Sequence, residues 1–200
     1  MENQKNGPDT STVRRSLSDM TLIALVTAVM CLLCPFAVPV GPIPVTLGVF
    51  AVFLAVYVLG TLRSAIACLL YILLGALGLP VFSGYSGSLG KLLGPTGGYI
   101  IGYVFLALLT GLIFALAGKT HARGVRLLLL QTIGMLLGLF VCYFFGTLWF
   151  TLYKSTDGMT FAQALSVCVV PFLSFDLAKI AAALVAGNAI GGALKKAHLL

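Results

Sequence analysis

The chain has 200 residues, 60% of them hydrophobic and only 8% charged, with a formal net charge of +7. A water-soluble domain of this length has no interior large enough for that much apolar surface, so the composition points to lipid as the solvent. The positive charge does not indicate nucleic acid, because the basic residues fall in short gaps between apolar runs and form no basic face interleaved with aromatics.

Residues 1–13 read as a polar, disordered tail, and residues 14–200 as one membrane domain. Arg14 and Arg15 precede an apolar run, as in a signal peptide. That run is long enough to span, and "CPFAVPVGPIP" follows it instead of a small-residue cleavage site, so an uncleaved first helix is expected. Ala24 and Ala28 stand one turn apart on this helix, a small-residue face suited to close helix packing. The apolar runs predict an all-α protein with six transmembrane helices at residues 17–34, 47–59, 62–77, 99–117, 125–152 and 173–194. The second and third fall short of the roughly 20 residues of a straight span, and Gly60 with Thr61 reads as a tight hairpin between them. Gly134/Gly138 and Gly187/Gly191 repeat the small-residue spacing on the fifth and sixth helices.

The basic residues set the orientation. With a cytoplasmic N-terminus, the inner side receives Lys5, Arg14, Arg15, Arg63, Lys119, Arg123, Arg126, Lys195 and Lys196, and the outer side only Lys91 and Lys154. This bias places both termini in the cytoplasm of a multi-pass cell-membrane protein. Two stretches do not read as spans. Residues 78–99 hold seven glycines and two prolines, and so form an outer, glycine-rich loop able to fold over the bundle. Residues 160–170 have helical spacing but cannot cross, and are expected to lie at the outer interface until Pro171.

Asp176 and Lys179 carry the sharpest chemical signal. They share a face at i and i+3 near the start of the last helix. A charge in hydrocarbon costs on the order of 3 kcal/mol, so ionisable residues there usually line a site. A carboxylate that accepts and an ammonium that donates suit a ligand with N–H groups beside a C=O. The glycine-rich loop lies on the same side, where Gly84 allows close backbone approach and Phe82, Tyr85 and Leu92 give it apolar substance. Lys91 is a candidate partner for a ligand carboxylate. Trp149 and Tyr153 sit at the same level, as an interfacial belt or as a stacking platform for a bound ring.

Other chemistry lacks its residues. "GKT" at 118–120 would need a glycine where Ile113 stands to be a phosphate loop, and no strand precedes it. The histidines, His121 and His198, fall in an inner loop and the tail, so no metal or Ser–His site is visible. Cys31 and Cys34 match a redox spacing without its context, and all five cysteines read as small buried hydrophobes. No chain of acids crosses the bundle as in an ion-driven pump.

"GPIPVTL" (residues 41–47), "YILLGALGLPVFSGYSGSLGKLLGPTGGYIIGY" (residues 71–103) and "PFLSFDLAK" (residues 171–179) resemble the BioY family, the biotin-binding S-components of energy-coupling factor (ECF) transporters. The resemblance covers nearly all of the chain after the tail. It implies the S-component fold, a six-helix bundle with an occluded outer pocket. It also implies that Asp176 and Lys179 hold the ureido ring of biotin while Phe82, Gly84, Tyr85 and Lys91 close over it. Ala24 and Ala28 would dock the coupling transmembrane subunit, and two ATPase subunits would supply the energy. Gly48 departs from the family, which often has a glutamine there. The implied protein is a binding subunit for biotin uptake, with biotin as cargo, no cofactor and no enzymatic activity. The alternatives are an S-component for another vitamin, or an intramembrane enzyme using Asp176 and Lys179 as an acid–base pair.

Overall fold

The structure is a computed structural model, and it describes residues 10–39, 43–155 and 158–196. Helix α1 spans Thr10–Leu33, and two short strands follow: β1 (Ala37–Val38) and β2 (Val45–Thr46). They pair antiparallel, with Ala37 opposite Thr46 and Val38 opposite Val45. Helices α2 (Gly48–Ala76), α3 (Leu89–Leu93), α4 (Gly97–Lys119), α5 (Gly124–Tyr153), α6 (Phe161–Cys168) and α7 (Val170–Lys196) complete the chain. Helix α1 starts inside the stretch expected to be a disordered tail. The rest of that tail, residues 1–9 with Lys5, lies outside the described residues.

Among the described residues, four helical stretches are long and apolar enough to cross a membrane: Gly48–Ala76, Gly97–Lys119, Gly124–Tyr153 and Val170–Ala193. Leu17–Leu33 is a shorter apolar helix. The outward faces agree with a lipid solvent: Leu25, Leu32, Phe140 and Val185 are among the exposed large side chains. The interior is apolar too, with Met30, Phe53, Tyr71, Phe82 and Leu106 fully buried.

Helix α2 does not run straight. At Gly60 the backbone takes φ 73° and ψ −165°, a conformation essentially restricted to glycine. Contacts with α4 show that the chain folds back there. A Cβ on Gly48 would lie 2.1 Å from the Tyr103 hydroxyl, and the Tyr71 ring sits 6.4 Å from the Tyr103 ring. Thr61, beside the bend, instead packs on Gly111, two turns further along α4. Both arms therefore start at the Tyr103 level and meet at the Gly111 level. The expected hairpin at Gly60 and Thr61 is thus a one-residue reversal at Gly60 that joins two helical arms. Near this apex Arg63 pairs with Asp19 of α1 at 2.6 Å.

Small residues let the helices approach. A Cβ on Gly138 would lie 2.3 Å from Thr110 Oγ1, one on Gly134 3.1 Å from Ile113, and one on Gly187 2.1 Å from Tyr57. Gly191 meets nothing within 4 Å, so the Gly187/Gly191 pair acts through only one member. The glycine-rich stretch is more ordered than a loop: α3 occupies its middle and α4 already begins at Gly97. Helix α6 has the expected short helical form, and its N-terminus is closed by a capping box in which Thr160 and Gln163 satisfy each other's backbone N–H groups.

Gly60→Ala is expected to destabilise the fold by about 1–3 kcal/mol. The added Cβ would meet no atom within 4 Å, so the cost would be purely conformational. Denaturant unfolding of the purified protein in detergent measures it; unchanged stability would refute the glycine requirement at the reversal.

Candidate ligand-binding site

Helix α7 opens with Val170 and Pro171, where the missing proline N–H breaks no helical bond. Asp176 and Lys179 follow in its second and third turns. The Lys179 ammonium sits 2.6 Å from Asp176 Oδ1, with the side chains 12% and 5% exposed. Tyr143 of α5 donates its hydroxyl to the other carboxylate oxygen, Oδ2. The pair is thus buried, mutually neutralising and held from a second helix. It still has spare capacity, because a carboxylate offers about four acceptor sites and an ammonium three donors.

A cavity opens between the β1–β2 connection, α2, the glycine-rich stretch and α4. Thr46, Tyr71, Ser83, Thr96, Tyr99 and Tyr103 line it, with Cys34, Ile43, Pro44 and Ile100 as the apolar complement. Its volume is about 40 Å³, room for little more than ordered water. A ring-bearing ligand therefore needs the surrounding segments to part. Thr46 and Tyr103 hold their hydroxyls 3.3 Å apart. Tyr99 bonds Thr147 of α5 at 3.1 Å. The Tyr103 hydroxyl fills the space that a side chain at Gly48 would take.

The cover is pinned at several points. Phe82 and Ser86 exchange backbone hydrogen bonds of 2.8 and 3.3 Å, closing a narrow turn. At its tip Gly84 (φ +71°) donates its N–H to the Pro35 carbonyl at 2.9 Å. Tyr85 has a left-handed backbone (φ 55°), and its exposed ring meets Phe36 edge-on at 5.9 Å. Phe82 is buried beneath, against Tyr71 and the bare face of Gly75. On the other side Trp149 donates its indole N–H to the Gly94 carbonyl at 3.0 Å. Gly98 lets the α4 backbone approach the same tryptophan, since a Cβ there would lie 2.2 Å from the Trp149 Cβ.

The residues singled out from the sequence thus fall into separate groups. Asp176 and Lys179 form one unit, held by Tyr143. Phe82, Gly84 and Tyr85 build the turn of the cover, Lys91 sits half-buried on α3, and Trp149 fastens the cover from α5. None of these lines the cavity. Ala24 and Ala28 do not line it and face outward on α1. Sequence reasoning missed Tyr143, Thr96, Tyr99 and Tyr103. Three of these carried a visible signal: Thr96, Tyr99 and Tyr103 repeat at helical spacing, a polar stripe on one face of an otherwise apolar helix. Tyr143 carried none, because its partner is 33 residues away.

A helical membrane protein with a buried ion pair and a covered polar cavity belongs among substrate-binding bundles. A model of the BioY family matches residues 4–196, and the chain belongs to that family. It is 37% identical over 174 residues to the probable biotin transporter BioY of Pyrococcus horikoshii, covering 87% of this chain and 96% of that one. With the biotin transporter BioY of Thermotoga maritima it shares 40% identity over 157 residues, 75% of this chain and 82% of the relative. With biotin transporter BioY2 of Lactococcus lactis it shares 34% over 179 residues, 89% and 92% of the two chains. The crystal structure of the S-component for biotin from an ECF-type ABC transporter matches the fold with a TM-score of 0.75, at 24% identity, over 91% of this chain and 93% of that one.

Trp149→Phe removes the donor to Gly94 while keeping an aromatic ring. Amide exchange across residues 88–96 is expected to quicken about five- to tenfold, the equivalent of one hydrogen bond. Unchanged exchange would show that the indole does not hold the cover.

Proposed function

We propose that this chain is the substrate-binding subunit for biotin uptake, capturing biotin on the outer side of a bacterial-type cell membrane. An ATP-driven ECF module then drives delivery inward. The chain is a transport protein rather than an enzyme, and biotin is its cargo. The observation that carries this reading is the buried Asp176–Lys179 pair, steadied by Tyr143, in a chain of the BioY family. The ureido ring offers two N–H donors and one carbonyl acceptor. Asp176 takes the N–H groups and Lys179 reaches the carbonyl; each charge-assisted bond contributes roughly 1.5–3 kcal/mol.

The membrane domain crosses six times: α1, the two arms of α2, α4, α5 and α7. The arms of α2 are about 18 and 24 Å long, short for straight spans of a 30 Å hydrocarbon layer, and their reversal carries Arg63 and its partner Asp19 at the inner side. Both termini lie in the cytoplasm, as the distribution of Lys and Arg favours. The cover at residues 78–96 then faces outward and closes over the ligand through Phe82, Gly84, Tyr85 and Lys91. Exposed Ala24 and Ala28, with Leu25 and Leu32 around them, form the docking face for the coupling transmembrane subunit. Two ATPase subunits provide the energy, since this chain has no phosphate loop of its own.

Binding of labelled biotin to the purified protein in detergent tests the reading. Asp176→Asn and Lys179→Met should each weaken binding at least tenfold, while thermal unfolding shows an intact bundle. Wild-type binding to riboflavin or thiamine in preference to biotin would assign the chain to another vitamin. Equal biotin affinity in wild type and both variants would reject the role of the pair.

A further inference from the structure

Helix α4 runs 23 residues from the cover to the opposite end of the bundle, where a short link turns the chain into α5. That end is strongly basic. Lys119, His121, Arg123 and Arg126 fall within eight residues, and all four are exposed. The link is an ordered turn: the N–H groups of Thr120 and His121 bond back to the Leu116 and Gly118 carbonyls at 3.1 Å, and that of Ala122 to Ala117 at 3.3 Å. Arg123 and Arg126 are the N-cap and N3 residues of α5, and so stand on one face of its first turn. No side chain caps this helix end, which itself favours negative charge.

The chain does not neutralise this cluster from within its described part. Among the described residues the carboxylates are Asp19 and Asp176, and each already has its own cation at 2.6 Å, Arg63 and Lys179. The surface next to the link is apolar. Leu112 and Leu116 on α4, and Val125, Leu128 and Leu129 on α5, are all exposed within two turns of it. Cations at the rim of an exposed hydrocarbon surface fit a molecule with an anionic head and acyl chains. A soluble phosphate would engage the cations and leave the leucines uncovered. We infer that the α4–α5 link is a binding surface for an anionic phospholipid of the inner leaflet, with Lys119, Arg123 and Arg126 as its headgroup contacts. This rests on the inward orientation proposed above and not on which cargo the outer site takes.

Native mass spectrometry and thermal unfolding of the full-length protein in neutral detergent test it, with phosphatidylglycerol or phosphatidylcholine of the same chains added. Each Lys or Arg near an anionic lipid surface contributes about fivefold in affinity. The wild type should therefore retain phosphatidylglycerol about ten- to a hundredfold better than phosphatidylcholine. Raising the salt from about 50 to about 500 mM should shrink that preference severalfold. Lys119→Gln, Arg123→Gln and Arg126→Gln combined should bring it within about threefold, with biotin binding as in the wild type. Lys91→Gln, on the cover, should leave the preference intact. Should the combined variant fail to fold, Arg123→Gln alone is expected to lose about fivefold. Equal retention of the two lipids by the wild type, or a preference that survives the combined variant, would overturn the inference. So would glycerol phosphate raising the melting temperature as much as phosphatidylglycerol, which would make the link a phosphate site without lipid. Absent biotin binding with the lipid preference intact would count against the biotin reading alone.

Discussion

Two opposite charges that cannot reach water must satisfy each other, and the meeting of α5 with α7 is arranged around that constraint. Asp176 and Lys179 meet at 2.6 Å on α7, and Tyr143 brings α5 to the remaining carboxylate oxygen. In hydrocarbon the removal of any one partner leaves the others uncompensated. The relative placement of α5 and α7 is therefore fixed at this height by chemistry as well as by packing.

The cover over the cavity follows a different logic. Backbone groups at that depth need partners inside the protein. The glycine-rich stretch finds them in the Phe82–Ser86 turn, in the Pro35 carbonyl and in the Trp149 indole. The Pro35 and Trp149 contacts are single bonds to the end of α1 and to α5, while the turn closes on itself with two and Tyr71 of α2 donates to the Val81 carbonyl. A cavity of about 40 Å³ beneath the cover requires these segments to part before a bicyclic ligand enters.

Hydropathy made most of this fold legible. The apolar runs located α1, α4, α5 and α7, and the short pair around Gly60 foretold a reversal because neither arm is long enough to be a straight span. The two arms of α2 meet at Gly60, where only the left-handed φ, which the sequence does not print, turns the chain within a single residue. The charged pair was visible because charge is conspicuous against an apolar helix. Tyr143 was not, because a tyrosine among phenylalanines on α5 looks like any other interfacial aromatic. Trp149 was read as a belt or stacking residue, and its bond to Gly94 depends on a meeting between segments 55 residues apart. Composition records which side chains are polar, but not which of them find each other.

That distinction divides the polar residues of the interior into two kinds. Gln131 and Asn188 exchange amide bonds of 3.1 and 3.2 Å, and Asn188 also donates to Tyr57 and to the Leu184 carbonyl. Thr110 donates to the Gly134 carbonyl, and Ser64 to the Gly60 carbonyl at the reversal. These groups spend their capacity within the bundle and tie helices together, as polar side chains do in lipid. Ser83 and Thr96 keep theirs unspent, among the residues that line the cavity. In a solvent that offers no hydrogen bonds, a hydroxyl without a partner is destabilising unless another molecule supplies one. The same apolar surroundings that force the rest of the interior to be self-sufficient therefore make these two hydroxyls, among the described residues, the exception.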